Sequence, residues 1–372
     1  MTKIELICVT TNNNNKFYRM TDLENGQFEI EYGRVGYVGT KETYPMSKWK
    51  SKYNEKLKKG YVDTTPYKKV STQGDVSCKE SSVQSFYDTF SLYSSNTVKQ
   101  NYNVSSSVVT KVMIEDAQDI INQLVNNPSN DLLIKLFTII PRKMYNVSDW
   151  LFTNNEPDII ITREQSLLDS LSSNIVSLST DNTTIEELFN INIIEESNDS
   201  ILGMINTTNR TGIKPYKMFK VEQKSTIGTF NNWLEKQSNQ NTEYLIHGTR
   251  SENVFSILKN GLLIRPTNVV LSGSVYGNGI YHSSHATKSM GYTSNSKDRI
   301  FFIQKVHTGK KYVYNGWYRE GKGLSSSNMN YNYLSKQGYD SLYVEPGDGL
   351  LNSEYIVYNK EQTTTGYLVW LK

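Results

Sequence analysis

Cysteine is nearly missing from this 372-residue sequence, with only Cys8 and Cys78 present. Two thiols so far apart make neither a zinc knuckle, nor a Cys-x-x-Cys redox pair, nor a disulfide framework. Long apolar runs are missing too. Leu132 to Ile140, among the most apolar stretches, is interrupted by Lys135 and falls far short of the roughly 20 residues a membrane span needs. At the N-terminus, Glu5 breaks the first apolar run and no small-residue cleavage site follows, so the pattern of a secretory signal is not met. No sign of charge dominates: 40 Lys and Arg against 37 Asp and Glu leave a net charge of +3. The balance is uneven, however, because Met1 to Val70 holds 13 basic against 8 acidic residues, a local +5. A basic segment of this kind fits a polyanion-reading module, although composition alone favours the plainer reading of a solvated lysine face.

The sequence does hold enough to fold. Apolar residues make up 37%, with 26 Tyr, 12 Phe and 5 Trp, too apolar for a disordered chain and long enough for two or three domains. Ile4 to Thr10, Phe17 to Met20 and Gln27 to Tyr32, with Phe28, Ile30 and Tyr32 alternating against acids, read as an antiparallel meander. Trp49, Tyr53 and Leu57 at every fourth position predict an amphipathic helix over Met46 to Leu57, ended by Gly60. The Ser- and Thr-rich stretch over 76–107 reads as a linker, with short ordered pieces near Phe86 to Tyr93. Helical periodicity over 108–181 predicts a small all-α block. From 182 to 372 the strand patterns Phe189 to Ile194, Tyr216 to Val221, Glu243 to Ile246, Arg299 to Val306, Ser341 to Val344, Glu354 to Tyr358 and Tyr367 to Leu371 dominate. Helices at Asn253 to Lys259 and His285 to Tyr292 complete an α+β domain.

Three segments of that last domain carry the residue types a nucleotide site requires. Tyr244-Leu-Ile-His-Gly-Thr-Arg250 delivers a histidine into a glycine turn, where exposed backbone can bind a carboxamide or a phosphate. In Gly277-Asn-Gly-Ile-Tyr281 and the following Lys288-Ser289 to Tyr292, aromatics flank a hydroxyl, a slot that suits a flat ring. Leu350 to Tyr358 opens a strand with Glu354. Taken singly, each has an ordinary reading as a hydrogen-bonded histidine, a hairpin with core tyrosines and a solvated strand edge.

Together the three segments resemble the catalytic domain of the poly(ADP-ribose) polymerase family. Its His-Tyr-Glu signature corresponds to His247, Tyr281 and Glu354, spaced 34 and 73 residues apart. The contexts coincide as well: His-Gly-Thr-Arg followed by Asn253 and Ile257 to Leu262, Gly-x-Gly-Ile-Tyr followed by Lys-Ser-x-x-Tyr, and Asn352 to Tyr358. Residues 27–39 are similar to the central motif of a WGR domain, with Tyr32 in place of the usual Trp and Arg34 retained. The block containing Ile140-Pro-Arg-Lys-Met144 resembles the regulatory helical subdomain that precedes the catalytic domain in DNA-dependent members.

The resemblance implies a multidomain chain: a WGR-like DNA-binding domain of small antiparallel sheet plus helix (1–75), the linker (76–107), a regulatory helical subdomain (108–181) and an α+β ADP-ribosyltransferase domain (182–372). It further implies a DNA-break-stimulated transferase for which NAD+ is a consumed substrate, with no metal. His247, Tyr281 and Glu354 would be catalytic. Gly248 would hold the nicotinamide carboxamide together with Ser289, Tyr281 and Tyr292 would bracket the ring, and Thr249 and Asn253 would lie on the adenosine side. Lys288 would orient Glu354 or bind substrate oxygens, a solvated helix lysine being the other reading. Tyr32 and Arg34 would contact DNA breaks or ends, 5′-phosphorylated nicks among them. Acceptors would be proteins, this one included, elongated to poly(ADP-ribose); no membrane is involved. Such an enzyme works in the nucleus of a eukaryote and otherwise in the cytoplasm. Two alternatives stay open: a mono(ADP-ribosyl)transferase acting on protein or nucleic-acid ends, and a non-catalytic DNA-end binding protein. Departures from the family pattern are Leu263, where many relatives carry Arg, with Arg265 close by, and a short region over Lys310 to Glu345.

Overall fold

The computed structural model describes residues 2–65, 75–102, 109–176, 182–264, 276–293, 295–314, 329–347 and 350–372. From the N-terminus run β1 (Lys3–Val9), β2 (Asn15–Asp22), β3 (Gln27–Arg34), β4 (Thr40–Pro45), α1 (Trp49–Lys58) and β5 (Val62–Asp63). Then come β6 (Val76–Ser77), α2 (Ser81–Asn101), α3 (Lys111–Asn126), α4 (Asn130–Ile139) and α5 (Pro157–Val176). The C-terminal part holds β7 (Thr183–Thr184), α6 (Ile185–Phe189), β8 (Ile191–Glu195), α7 (Asp199–Thr208), β9 (Pro215–Gln223), α8 (Lys224–Leu234), β10 (Thr242–Thr249) and α9 (Val254–Asn260). It ends with β11 (Ile280–His282), α10 (Ala286–Met290), β12 (Arg299–His307), β13 (Lys311–Tyr314), α11 (Tyr331–Lys336), β14 (Ser341–Val344), β15 (Glu354–Val357) and β16 (Thr363–Leu371). Two compact units result, Met1–Thr72 with Ser95–Ile175, and Gln73–Ser94 with Val176–Lys372.

In the first unit the expected meander is a five-stranded antiparallel sheet ordered β4-β3-β2-β1-β5. Alternation places Phe28 and Ile30 of β3 in a core with Leu6, Tyr18 and Met20, whereas Tyr32 at the end of the row is 36% exposed. Helix α1 lies on this core through Trp49, whose ring meets Phe28 edge-on at 5.0 Å, and Tyr53, which donates to Asp63. Gly60 takes a positive φ of 82°, as a chain leaving a helix favours. The helical block belongs to this same unit, although the sequence suggests a separate subdomain. Ser129 and Thr110 cap α4 and α3 by accepting backbone N–H groups. Among these helices the Arg142 guanidinium is buried against Tyr102, Phe137 and Trp150 and pairs with buried Glu164.

Arg34 is engaged within its own unit. Its Nε donates to the carbonyl of Met144 at 3.1 Å, Nη1 to the carbonyl of Asn13, and Nη2 to Asn13 Oδ1 and the carbonyl of Tyr145. A guanidinium with each nitrogen turned to a carbonyl oxygen has little left for a phosphate, and it fastens β3 to the segment after α4. Arg34→Ala should leave these carbonyls short of donors and lower the melting temperature of the full chain by several degrees, a loss of ~1–3 kcal/mol. Differential scanning calorimetry would measure it, and an unchanged melt would show that the fastening contributes nothing.

The second unit is built on two sheets, β10-β12-β16-β9-β8 and β11-β15-β14-β13. One side of the larger sheet carries Phe219, Phe302, Leu368 and Trp370, packed against α9 and, from far upstream, against Val83, Phe86 and Phe90 of α2. Residues 81–101, expected within the linker, are thus one helix. Its serines and threonines mask an apolar stripe at Val83, Phe86 and Phe90. On the other side Ile246, Phe301, Ile303 and Val369 pack under α7 and α10.

Candidate active site

Two edge strands meet to form the site. Ile246 of β10 exchanges both backbone hydrogen bonds with Ser283, just past β11, at 2.8 and 3.0 Å. Because β10 pairs with β12 on its other side, alternate residues of β10 point their N–H and C=O groups the same way. Those of Gly248, two residues on from Ile246, therefore face away from β12 with no ladder partner among the described residues. Ser289 fills the face that a side chain of Gly248 would occupy: a Cβ built there would lie 1.9 Å from the Ser289 carbonyl oxygen, so only glycine allows this approach. Ser289 Oγ donates to the Ile246 carbonyl at 3.3 Å from the short helix α10, which holds the hydroxyl beside the same backbone. An adjacent free N–H and C=O with a hydroxyl nearby is the complement of a primary carboxamide.

His247 leaves β10 with Nδ1 at 3.0 Å from the carbonyl of Tyr281. A carbonyl only accepts, so Nδ1 carries the proton. Burial pushes the pKa of His247 down, against the smaller opposing pull of that carbonyl. The neutral ring then offers Nε2 as a fixed acceptor for a hydroxyl.

Tyr281 stands opposite Ile356 on paired strands β11 and β15. Its hydroxyl accepts the N–H of Tyr276 at 2.9 Å and donates to the carbonyl of Gly277 at 2.8 Å, so it braces the glycine turn while the ring forms a wall. Gly277 itself takes a φ of 90°. Glu354 opens β15 and is 6% exposed, and its Oε1 lies 2.6 Å from Nζ of Lys288. Lys288 also reaches the carbonyl of Asn352 at 3.4 Å, so its ammonium is held between that carbonyl and Glu354. The negative field of Glu354 adds to burial in raising the pKa of Tyr281, Tyr292 and Tyr276, which keeps all three phenols protonated. Tyr292 is 48% exposed and lies close enough to Glu354 to feel its charge. Thr249 is buried at the end of β10, and Asn253 stands where α9 begins.

The structure thus gathers His247, Gly248, Thr249, Asn253, Tyr281, Lys288, Ser289, Tyr292 and Glu354 within one unit. Leu263 is exposed nearby in sequence, and Arg265 lies outside the described residues. Tyr32 and Arg34 belong to the other unit, and Tyr32 donates to Glu42. Sequence reasoning missed His282. It is 3% exposed, its ring stands edge-to-face with His247 at 6.0 Å, and neither nitrogen has a partner in normal hydrogen-bonding geometry. The signal was its place in β11, where Ile280 and His282 alternate inward around Tyr281. Among the described residues no group of three or more His, Cys, Asp or Glu could hold a metal ion, and no helix is long and apolar enough to cross a membrane.

Residues 196–372 match the family model of the poly(ADP-ribose) polymerase catalytic domain. A putative poly(ADP-ribose) polymerase-like protein, 100L, of Invertebrate iridescent virus 6 is 40% identical over 179 residues, which are 48% of this chain and 97% of that protein. An uncharacterized protein of the same virus, 101L, is 33% identical over 208 residues, covering 53% of this chain and 88% of its own length. Poly(ADP-ribose) polymerase 1 of Gallus gallus is 27% identical over 186 residues, 45% of this chain and 18% of that protein. The chain belongs to the poly(ADP-ribose) polymerase family.

Proposed function

We propose that this member of the poly(ADP-ribose) polymerase family, an enzyme that uses NAD+ for ADP-ribosyl transfer, responds to DNA breaks and elongates its product to poly(ADP-ribose) on protein acceptors, itself included. The observation that carries the transferase reading is the buried Glu354 carboxylate held on Lys288 beside Tyr281, one strand crossing away from the free backbone edge of Gly248. Gly248 and Ser289 hold the carboxamide of nicotinamide, and Tyr281 and Tyr292 flank its ring. The neutral His247 accepts the 2′-hydroxyl of the adenosine ribose at Nε2, with Thr249 and Asn253 on that side. Cleaving the nicotinamide–ribose bond builds positive charge at C1′. Glu354 stabilises that charge and polarises the incoming hydroxyl, while Lys288 fixes which carboxylate oxygen faces the substrate.

The DNA part rests on the N-terminal sheet and α1. With Arg34 committed to carbonyls, the lysines of α1 and Lys48 just before it are the better candidates. Nζ of Lys52 lies 4.3 Å from the centre of the Tyr44 ring and that of Lys48 5.7 Å. Lys56 sits 4.4 Å over Tyr18 and 5.9 Å from exposed Tyr32. Interleaved cations and rings suit a strand end, although Glu42 and Glu55 stand among them. The helical block over 108–181 restrains the catalytic unit until a break is bound.

Incubation of the full chain with labelled NAD+, with and without a nicked 5′-phosphorylated duplex, tests the whole reading. A ladder that strengthens with DNA is expected. A single shift would replace elongation by transfer of one unit, DNA-independent labelling would remove the DNA part, and no labelling at all would overturn the enzyme. Replacing Lys48 and Lys52 by Ala should weaken binding of the labelled duplex and flatten its salt dependence by roughly one unit of log–log slope per lost phosphate contact. Equal affinity and slope would move DNA away from this face.

A further inference from the structure

The family match begins at residue 196, yet the core of the catalytic unit is completed by a helix more than a hundred positions upstream. Val83, Phe86 and Phe90 of α2 are at most 1% exposed. Phe86 meets Phe219 at 5.3 Å and Trp370 at 6.4 Å, and Phe90 meets Trp370 at 5.7 Å. Tyr87 packs on Phe255 of α9 at 5.4 Å, and Phe255 is stacked on Phe189 from beneath at 5.0 Å. Polar contacts fix the depth and direction of the helix. The Tyr93 hydroxyl donates to Oδ2 of Asp298 at 3.1 Å while Trp370 Nε1 donates to Oδ1 of the same carboxylate at 2.9 Å. Ahead of α2, β6 pairs with β7, and Glu80 accepts the backbone N–H of Glu195.

We infer that the catalytic unit carries a helix-docking groove, lined by Phe219, Phe255, Phe189 and Trp370, whose occupant is the Ser81–Ser94 part of α2, and that docking there positions the adenosine side of the substrate site. The occupant is an apolar stripe of Val83, Phe86, Phe90 and Tyr93, three of them aromatic, spaced by three and four residues along one helix face. The link to the site is short. Helix α9 begins immediately after Asn253, and its Val254, Phe255 and Leu258 face the groove, so an empty groove would let α9 shift and take Asn253 and Thr249 with it. Ser81–Ser94 and Val176–Lys372 are separated in sequence by residues of the other unit. The groove therefore recognises its helix by side chains and not by chain continuity, and a helix supplied on a separate chain can fill it.

The effect on NAD+ rests on the transferase reading; docking itself does not. A specific protease site placed between Val176 and Asn182 of the full chain allows the folded protein to be cut. The cut wild type should elute as one complex, with its melt and its KM for NAD+ unchanged. Phe86→Ala with Phe90→Ala should make the cut fragments separate and, before cutting, raise KM for NAD+ roughly tenfold with a smaller change in kcat, as loss of positioning does. A synthetic peptide of residues 76–94 added to the uncut variant should restore its melt, and Phe86→Leu with Phe90→Leu should keep the complex together. Separation of the cut wild-type fragments, or co-elution of the Ala variant with an unaltered KM, would overturn the groove. If the wild-type fragments stay together and no NAD+ is turned over, docking stands and the transferase reading fails.

Discussion

Glu354→Gln should lower ADP-ribosyl transfer by ~100-fold or more while the protein still folds and binds NAD+, because one charge contact to the transition state is removed. The glutamine keeps the shape and retains a carbonyl oxygen for Lys288, which in the native protein lies 2.6 Å from Glu354 Oε1. In the proposed binding mode ground-state contacts lie elsewhere, at the backbone edge of Gly248, the Ser289 hydroxyl and the Tyr281 and Tyr292 rings. KM should therefore change far less than kcat. Lys288→Met gives the complementary case. It leaves the charge of Glu354 but loosens its orientation, so a smaller loss of kcat is expected, and the double variant should lose less than the product of the two. Steady-state release of nicotinamide beside a thermal melt checks all three. Wild-type turnover from the Gln variant would remove Glu354 from the chemistry. A loss matched by a collapsed melt would make the carboxylate a structural group.

The candidate site was legible because it is written in short contiguous motifs. His247-Gly248-Thr249 and Lys288-Ser289 are short words, and the structure sets them beside one another, with Ser289 Oγ on the carbonyl of Ile246. The meander over β1 to β3 was legible for a similar reason, since Phe28 and Ile30 alternate against acids and are fully buried. What escaped was whatever depends on partners remote in sequence. Composition hid α2, whose Phe86 and Phe90 are flanked by hydroxyl residues and become meaningful only against Phe219 and Trp370. Arg34 looks like a phosphate ligand until the carbonyls of Met144 and Tyr145 are brought to it across more than a hundred residues. Helices α7 and α8, at Asp199–Thr208 and Lys224–Leu234, went unread because their inner faces are short, Ile201 and Ile205 in one, Phe230 and Trp233 in the other.

His282→Phe should stabilise the protein, and the gain should grow as the pH falls. The imidazole of His282 is buried with neither nitrogen in normal hydrogen-bonding geometry, and burial, with a lesser push from neighbouring His247, drives its pKa down to about 3. The backbones of Tyr355 and Ile280 offset only part of this. In the unfolded chain the same ring titrates near the ordinary value of about 6.5. As pH drops below about 6.5 the unfolded state takes up a proton that the folded state refuses, so stability declines by up to ~1.4 kcal/mol per pH unit until the folded ring titrates as well. His247, with its pKa also lowered by burial, adds a decline of the same sign that the variant retains. Phenylalanine removes two poorly paired polar atoms and cannot titrate. It should add ~1 kcal/mol or more near neutral pH, where a buried unpaired polar group is replaced by an apolar one of similar shape. By pH 4.5 the difference should widen by a further ~2–3 kcal/mol, the slope acting over about two pH units. Urea unfolding at pH 7.5, 6 and 4.5 measures the difference directly. Transfer activity at pH 7.5 should be retained, because the edge-to-face contact with His247 needs a flat ring and not a nitrogen. A difference that stays flat with pH would show that His282 is already satisfied in the folded state. A loss of NAD+ affinity with an intact fold would show instead that its nitrogen takes part in holding His247 for the substrate.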